Sequence, residues 1–373
     1  MRPPVVILAG GLGTRLRPLT EVLPKPMVPL GGKPLIAHLV ERFQEMGFHR
    51  VYIAANYKGA LIKEYAETAG LPAEVRILDS KDTIDGVRLI AEELGDEVVV
   101  SMGDLVTSID VGDQYKLHRE AGADATVSLT SVDNPLQYGL VMVDESKRIL
   151  LFTEKPVSLE VYLLSLAFYK TKGASSYSNL VNAGIYVLGD NAMKLIMANK
   201  SLLDFGRHLF PLMVEEGYRC YGYVTPPGVY WEDIGTIEKY KRAMWDVISG
   251  GVPGFKLNGE TVSSGVHVHK TADVRGEILP PVYIGEGVVV EEGAVVGPYV
   301  SLEGGNFVGR GSRVENSILW RRAVVGRNTY VRESILLNDS VLSDGVKVVD
   351  SVIGSGNKVA EDVFSKVLPN KVV

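Results

Sequence analysis

The chain has 373 residues, more than one ordinary core accommodates and enough for two domains. Hydrophobic residues make up 46% and charged residues 23%, the balance of a globular enzyme. A formal net charge of -6 without any long run of Lys or Arg excludes a basic nucleic-acid footprint, and a single cysteine, Cys220, excludes an internal disulfide and a cysteine metal cluster. The lone thiol suits a reducing cytoplasm. The opening MRPPVVILAGG lacks the charged region, long apolar stretch and cleavage site of a secretory leader, and nowhere do eighteen apolar residues run together. A cytoplasmic protein with neither nucleic acid nor membrane as partner is expected.

The first element is a strand over Val5-Val6-Ile7-Leu8-Ala9, followed directly by GGLGTRLRPLT from Gly10 to Thr20 and by Pro24-Lys25-Pro26. Gly10, Gly11 and Gly13 carry no Cβ, so the backbone can take positive φ and bring its N–H groups close to phosphate oxygens. Arg15 and Lys25 add two positive charges to the same bend, and Thr14 lies between them and the glycines. Two better-known glycine loops fail here. The phosphate loop of ATPases needs Gly-Lys-Ser/Thr where this chain has Gly13-Thr14-Arg15. The dinucleotide fingerprint needs a glycine at Leu16 and an acid where the second strand ends in Asn56. Pro18, Pro24 and Pro26 oppose a helix starting off the glycines, which leaves a long extended loop wrapped over a ligand.

Lys33 to Met46 carries Leu35, Ile36, Leu39, Val40, Phe43 and Met46 on one helical face, with Gly47 as C-cap. Further strands are expected at Val51 to Ala55, Glu74 to Ile77, Val98 to Met102 and Ala125 to Leu129. Strands alternating with helices from Val5 to about Trp245 predict a mainly parallel sheet covered on both faces. After a helical stretch ending near Ile248, the cluster Gly250-Gly251-Val252-Pro253-Gly254 marks a boundary, giving domains at 1–249 and 250–373. Beyond it Ile278, Ile284, Val290, Val296, Leu302, Val308 and Val314 recur at a strict six-residue interval. Such hexads resemble left-handed parallel β-helices, whose flat sides take about six residues each with aliphatic side chains stacked inside. After Trp320 the register slips, although Ser317-Ile318, Ser334-Ile335, Ser340-Val341 and Ser351-Val352 continue the coils less regularly.

The spacing GGxGTRLxPLT then PKP resembles the signature of the sugar-1-phosphate nucleotidylyltransferases. The resemblance implies a Rossmann-like α/β catalytic domain followed by the β-helix, and a reaction in which a sugar 1-phosphate attacks the α-phosphorus of a nucleoside triphosphate. Such a nucleophile is already largely dianionic at neutral pH, so alignment and charge neutralisation, rather than a base, must carry catalysis. Gly10, Gly11, Gly13, Thr14, Arg15 and Lys25 are the nucleotide-binding candidates. Asp104, after a buried strand in Gly103-Asp104, and Asp233, in Trp231-Glu232-Asp233-Ile234-Gly235-Thr236, match the family's Mg2+ ligands; with Arg15 and Lys25 they form the catalytic set. Glu154-Lys155-Pro156 resembles the EKP motif, in which Lys155 would contact the sugar phosphate. Asn182 in Asn182-Ala183-Gly184-Ile185-Tyr186 and Gly139 in Tyr138-Gly139 resemble sugar-contacting positions.

Two departures bear on substrate. Asp82-Thr83-Ile84-Asp85-Gly86-Val87 stands where the family often has a GTAGAL-like, base-reading stretch, and the link from Pro156 to Asn182 is long, with an apolar segment from Val161 to Phe168. The LAGGLGTRLRPLT variant, WEDIGT, the β-helix and the ending VLPNKVV resemble guanylyltransferases acting on mannose 1-phosphate, which implies GTP as donor and GDP-mannose as product. A glucose-1-phosphate uridylyl-, thymidylyl- or adenylyltransferase is the near alternative. A noncatalytic regulatory subunit of the same plan would be free to lose Arg15, Lys25, Asp104 and Asp233, and an acetyl-transferring β-helix would need a histidine base, which the clear hexads lack. The C-terminal domain is therefore expected to build a homo-oligomer and to make no catalytic contact.

Overall fold

The structure, a computed structural model, describes residues 2–135, 138–154 and 179–371. Contacts divide the chain into two compact units, one of Met1–Gly11 with Leu39–Trp231 and one of Leu12–His38 with Glu232–Val373. Lys155 and the apolar segment from Val161 to Phe168 lie outside the described residues.

The first unit is organised by a strand apolar on both faces. All five residues of β1 (Val5–Ala9) are buried, as a strand covered by layers on either side requires. It pairs in parallel with β2 (Val51–Ala55) and β4 (Val98–Met102), and β2 pairs in parallel with β3 (Glu74–Ile77). Further along come β5 (Leu105–Thr107), β6 (Ala125–Ser131), β7 (Gly139–Val143), β8 (Ile149–Glu154), β9 (Leu180–Leu188) and β10 (Cys220–Val224). The main sheet runs β10-β6-β9-β4-β1-β2-β3, with β7 joined to β8 and β9. The expected parallel core is present. Along that path β9 reverses direction, being antiparallel to both β4 and β6, and off it β7 is antiparallel to both β8 and β9.

The helix Leu35–Glu45 buries Leu35, Ile36, Leu39, Val40 and Phe43, the expected face. Gly47 follows at φ +80, and the N–H of Phe48 reaches back to the Phe43 carbonyl at 2.9 Å, closing the helix through a left-handed glycine. Among the described residues no helix is long and apolar enough to cross a membrane.

In the second unit the hexads become three parallel sheets, one per side of the coil, so the C-terminal part is the expected left-handed parallel β-helix. Ile284, Val290, Val296, Leu302, Val308 and Val314 are all fully buried, and Ile278 packs against them. Full coils first take eighteen residues, as Val282 pairs with Val300 and Val295 with Arg313. They then take seventeen: Arg313 pairs with Tyr330, and Ile318 with Ile335.

The first slip in the repeat is thus a change of coil length at one corner; the last coil shortens again, to fifteen, as Val348 pairs with Val363 and Val352 with Val367. At that corner Asn316, Glu333 and Asp350 each take positive φ, and a serine follows each. The hydroxyl of Ser317 accepts the N–H of Ser334 at 3.0 Å, that of Ser334 accepts Ser351 at 3.1 Å, and that of Ser351 accepts Lys366 at 3.1 Å. A ladder of buried hydroxyls satisfies the backbone donors of a corner one residue short.

The helix Ile237–Ile248 lies against this domain. Tyr240, fully buried, donates its hydroxyl to the Pro29 carbonyl at 2.7 Å and accepts the indole N–H of the equally buried Trp320 at 3.0 Å. Trp245 packs on Tyr299 with ring centroids 5.9 Å apart, and the Lys241 ammonium donates to the Glu333 carbonyl at 2.9 Å. The segment Leu12–His38 therefore belongs by its contacts with the β-helix and this helix.

Candidate active site

The candidate residues are divided between the two units. Gly10, Gly11, Asp104, Gly139, Glu154 and Asn182 are in the first; Gly13, Thr14, Arg15, Lys25 and Asp233 are in the second.

In the first unit β1 ends at Ala9, and Gly10 begins the loop at the carboxyl edge of the sheet, where open parallel sheets bind ligands. A Cβ on Gly10 would lie 3.3 Å from Asn56 Cβ and 3.5 Å from Ser80 Oγ. Asn56, at the end of β2, donates its side-chain N–H to the Ser80 carbonyl at 2.9 Å. The unusual stretch from Asp82 to Val87 follows and packs down onto the sheet, since a Cβ on Gly86 would meet Leu8 at 2.7 Å. Its Asp85 accepts the Lys81 N–H at 3.1 Å and pairs with Arg88, so that carboxylate shapes the turn.

At the end of β4 the N–H of Gly103 donates to the Leu8 carbonyl at 2.9 Å, which fixes the backbone just before Asp104. Asp104 is half-buried. Its charge is felt at the hydroxyl of Tyr186, a fully buried phenol pushed well above its ordinary pKa, first by burial and then by the carboxylates of Asp204, Glu154 and Asp104. Asn182 opposes the shift by donating its amide to that hydroxyl at 3.0 Å, while its carbonyl accepts the N–H of Gly184 at 2.9 Å.

Gly139 and Glu154 face each other across the β7–β8 pair. A Cβ on Gly139 would sit 2.6 Å from Glu154 Oε2 and 3.5 Å from Asn182 Cβ, so only glycine leaves that carboxylate its place. Gly206 makes the same approach at 2.6 Å. Asp204 accepts the Thr83 hydroxyl at 3.2 Å and the Arg207 N–H at 2.8 Å. The structure thus brings Gly139, Glu154 and Asn182 together and adds Tyr186, Asp204 and Gly206, which the motifs did not single out. Asp204 and Gly206 carry no local sequence signal; Tyr186 ended a motif already in view.

In the second unit Gly13 takes the left-handed conformation, φ 60 and ψ 36. The Thr20 hydroxyl donates to its carbonyl at 2.8 Å, and a Cβ on Gly13 would lie 2.8 Å from Thr20 Cγ2 and 3.4 Å from Lys25 Cβ. Thr20 therefore folds the loop back so that Lys25 comes beside Gly13. Thr14 and Arg15 open a short turn, Thr14–Leu16, whose Leu16 is fully buried while Arg15 is exposed. A buried anchor beside an exposed cation holds the charge outward.

Arg15 reaches the neighbourhood of Asp233, because a Cβ on Gly235 would lie 2.9 Å from Asp233 Oδ2 and 3.3 Å from an Arg15 terminal nitrogen. Asp233 also pairs with Lys239, whose ammonium lies 3.1 Å from Glu232 Oε1. Lys239 belongs to no motif, although it stands one helical turn beyond WEDIGT. Among the described residues no group of three or more His, Cys, Asp or Glu is gathered closely enough to hold a metal by itself. Magnesium is commonly held by one or two carboxylates together with substrate phosphates, and Asp104 and Asp233 are hard oxygen donors of that type.

The β-helix touches the segment that carries Arg15 and Lys25, although at none of the candidate residues: the side chain of Asn370, in the C-terminal tail, donates to the Pro18 carbonyl at 2.9 Å and to Glu21 at 3.1 Å. The buried carboxylate of Glu303 accepts the N–H groups of Gly31 and Gly32. A six-residue period reveals the stacked interior of the coils but not what their corners bind.

The model of the nucleotidyl transferase family matches residues 4–250, and that of the GMPPB C-terminal domain matches residues 278–373. The chain is 30% identical to a mannose-1-phosphate guanylyltransferase of Mycobacterium tuberculosis, over 83% of this chain and 76% of that one. It is 29% identical to a UTP–glucose-1-phosphate uridylyltransferase of Synechocystis sp., over 86% and 84%. It is 27% identical to mannose-1-phosphate guanylyltransferase 1 of Arabidopsis thaliana, over 91% and 94%. Together with the glycine loop and the sheet that carries it, these matches show that the chain belongs to the nucleotidyl transferase family and ends in a GMPPB C-terminal domain.

Proposed function

We propose that this transferase makes GDP-mannose and pyrophosphate from GTP and mannose 1-phosphate. The observation that carries the class is the loop in which left-handed Gly13, exposed Arg15 and Lys25 are folded together by Thr20. The guanylyl choice is supported by the C-terminal match and by the names of the relatives. The uridylyltransferase at 29% identity keeps glucose 1-phosphate with UTP as the competing pair.

A phosphate oxygen of mannose 1-phosphate attacks the α-phosphorus of GTP; that P–O bond forms as the bond to the β-phosphate oxygen breaks, and pyrophosphate carries the electron pair away. The N–H groups at Gly10, Gly11, Gly13 and Thr14 hold phosphate oxygens, and Arg15 and Lys25 offset the charge that collects on the leaving pyrophosphate. Lys155 neutralises the incoming sugar phosphate, while Gly139, Glu154 and Asn182 meet sugar hydroxyls. Asp104 and Asp233 would hold Mg2+, which supplies charge neutralisation at the phosphates.

The modules divide at 249/250, at the end of the first matched region, 4–250, and before the second, 278–373. The working location is the cytoplasm, and the active form is a homo-oligomer joined through the β-helix. Exposed Phe364 and Val367, on the last strands of its coil, support a second copy packed there. The test is pyrophosphate release from GTP and mannose 1-phosphate with magnesium and with excess EDTA, alongside light scattering. Turnover lost in EDTA supports the reading. No turnover with any nucleotide and sugar phosphate would contradict it and favour a regulatory subunit.

A further inference from the structure

The tail Pro369-Asn370-Lys371 is anchored to the coil before it at several points. The side chain of Asn357, almost fully buried, donates to the Pro369 carbonyl at 2.8 Å and to the Gly354 carbonyl at 2.9 Å. The N–H of Ser355 donates to Asn370 Oδ1 at 2.8 Å, and the N–H of Lys371 donates to the Ser355 carbonyl at 3.0 Å. Gly354 leaves no room for the tail to shift inward, since a Cβ there would collide with the Pro369 carbonyl.

These bonds use the oxygen of the Asn370 amide and fix its plane. Its nitrogen then has two hydrogens to give, and both go to the glycine-loop segment: one to the Pro18 carbonyl, one to Glu21 Oε2. Pro18 precedes the short helix Leu19–Val22, whose Thr20 holds the Gly13 carbonyl and packs beside the position where Lys25 meets Gly13. The path from tail to loop is therefore continuous: Asn370 to Pro18 and Glu21, then Thr20 to Gly13.

A second grip lies further along the same segment. Gly31 and Gly32 both take positive φ, 66 and 92, so their N–H groups point the same way, and the two oxygens of Glu303 accept them at 3.1 and 2.7 Å. Ser301 donates its hydroxyl to the same carboxylate at 2.6 Å. A Cβ on Gly31 would collide with the Leu257 side chain, and one on Gly32 with the Tyr283 hydroxyl, so the turn is enclosed by the β-helix and the chain leading into it. Between the two grips stands Lys25.

We propose that the β-helix sets the conformation of the nucleoside-triphosphate loop, with Asn370 as the positioning residue at Pro18–Glu21 and Glu303 as the positioning residue at Gly31–Gly32. The inference rests on the reading of that loop as the triphosphate site. Neither residue touches substrate; each acts through the backbone that presents Arg15 and Lys25.

The decisive variant is Asn370→Asp in the full-length chain. Aspartate keeps the oxygen that accepts from Ser355 but removes both donors and sets a carboxylate against Glu21 and the Pro18 carbonyl. KM for the triphosphate should rise about tenfold, the scale of a lost hydrogen bond to a charged partner, while KM for the sugar 1-phosphate stays within about twofold of wild type. Adding Glu21→Gln supplies an amide donor facing the introduced carboxylate, and the pair should recover at least about half of the logarithmic loss. Hydrogen exchange gives a readout independent of turnover: amides of Leu19–Val22 should exchange faster in Asn370→Asp, with those of Val5–Ala9 unchanged.

Calorimetric titration with GTP separates the two levels of the argument. A wild type that binds no GTP or other nucleoside triphosphate overturns the reading of the loop and this inference with it. A wild type that binds, with an Asn370→Asp variant that binds equally and exchanges equally, overturns this inference alone. Equal losses for both substrates without recovery by Glu21→Gln would also overturn it, because they describe general loss of structure.

Discussion

Gly13→Ala isolates the cost of the left-handed turn that opens the loop. At φ 60 and ψ 36 a residue bearing a Cβ pays about 1–2 kcal/mol in backbone strain. The new methyl would also lie 2.8 Å from Thr20 Cγ2, closer than real Cβ contacts come, and overpacking of this kind adds about 1–3 kcal/mol. The sum of about 2–5 kcal/mol appears as lost stability, or as a loop shifted to relieve the clash with Arg15 and Lys25 displaced. At ~1.4 kcal/mol per factor of ten, kcat/KM for the triphosphate should fall at least about tenfold. Thr20→Ser removes only the offending methyl and keeps the hydroxyl bond to the Gly13 carbonyl; the next Cβ contacts are then at 3.4 Å. Gly13→Ala/Thr20→Ser should therefore recover the steric part and retain the backbone part. Pyrophosphate release and denaturant unfolding on wild type, both single variants and the pair complete the cycle. A Gly13→Ala protein with wild-type kcat/KM and stability would refute the reasoning, and a pair no better than Gly13→Ala alone would show that the clash contributes nothing.

Asp104→Asn and Lys25→Ala should each lower kcat/KM by roughly a hundredfold or more with the fold retained, since metal and cation stabilisation of a transferring phosphate contributes several kcal/mol; a near-normal rate in either contradicts the assignment. Burial, with Lys33 adding to it, lowers the pKa of His38 to about 3 from the ordinary 6.5, and its ring donates to the Leu30 carbonyl while stacking on Phe255. The folded state then binds fewer protons than the unfolded one, so stability present above pH 6.5 is lost as pH falls toward 3, with a ceiling of roughly 5 kcal/mol. Urea unfolding across that window should show a shallower pH slope in His38→Gln; an unchanged slope contradicts the assignment. Tyr240→Phe leaves the Pro29 carbonyl and the Trp320 N–H without their shared partner and should cost about 1–3 kcal/mol in unfolding free energy. No measurable loss would mean that another group meets both.

The sheet was legible where burial on both faces writes a continuous apolar run. The bounds of β1, β2 and β4 follow from such runs, and the carboxyl ends of β1 and β4 placed Gly10 and Asp104. β6 runs two residues past the expected end because Thr130 and Ser131, polar in composition, still pair with Val181 and Leu180. The reversed direction of β9 was not legible, since an apolar strand reads alike in either sense.

The β-helix shows the same division. Period six revealed the stack, whereas the shortened coil depends on backbone donors finding Ser317, Ser334 and Ser351, a hydrogen-bond matter that hydropathy does not record. At the candidate site the motifs supplied the residue types, and the glycines became interpretable only with their neighbours: Gly139 because Glu154 fills its missing side chain, Gly13 because Thr20 and Lys25 crowd it. Glu303 and Asn370 meet the loop across about 270 and 350 residues of chain, a separation at which no local pattern carries information.

The most direct test of the proposed reaction is a matrix of GTP, UTP, ATP and dTTP against mannose 1-phosphate and glucose 1-phosphate, with kcat/KM read from pyrophosphate release. The highest value should belong to GTP with mannose 1-phosphate. A much higher value for UTP, dTTP or ATP with glucose 1-phosphate would contradict the guanylyl assignment while leaving the transferase class in place.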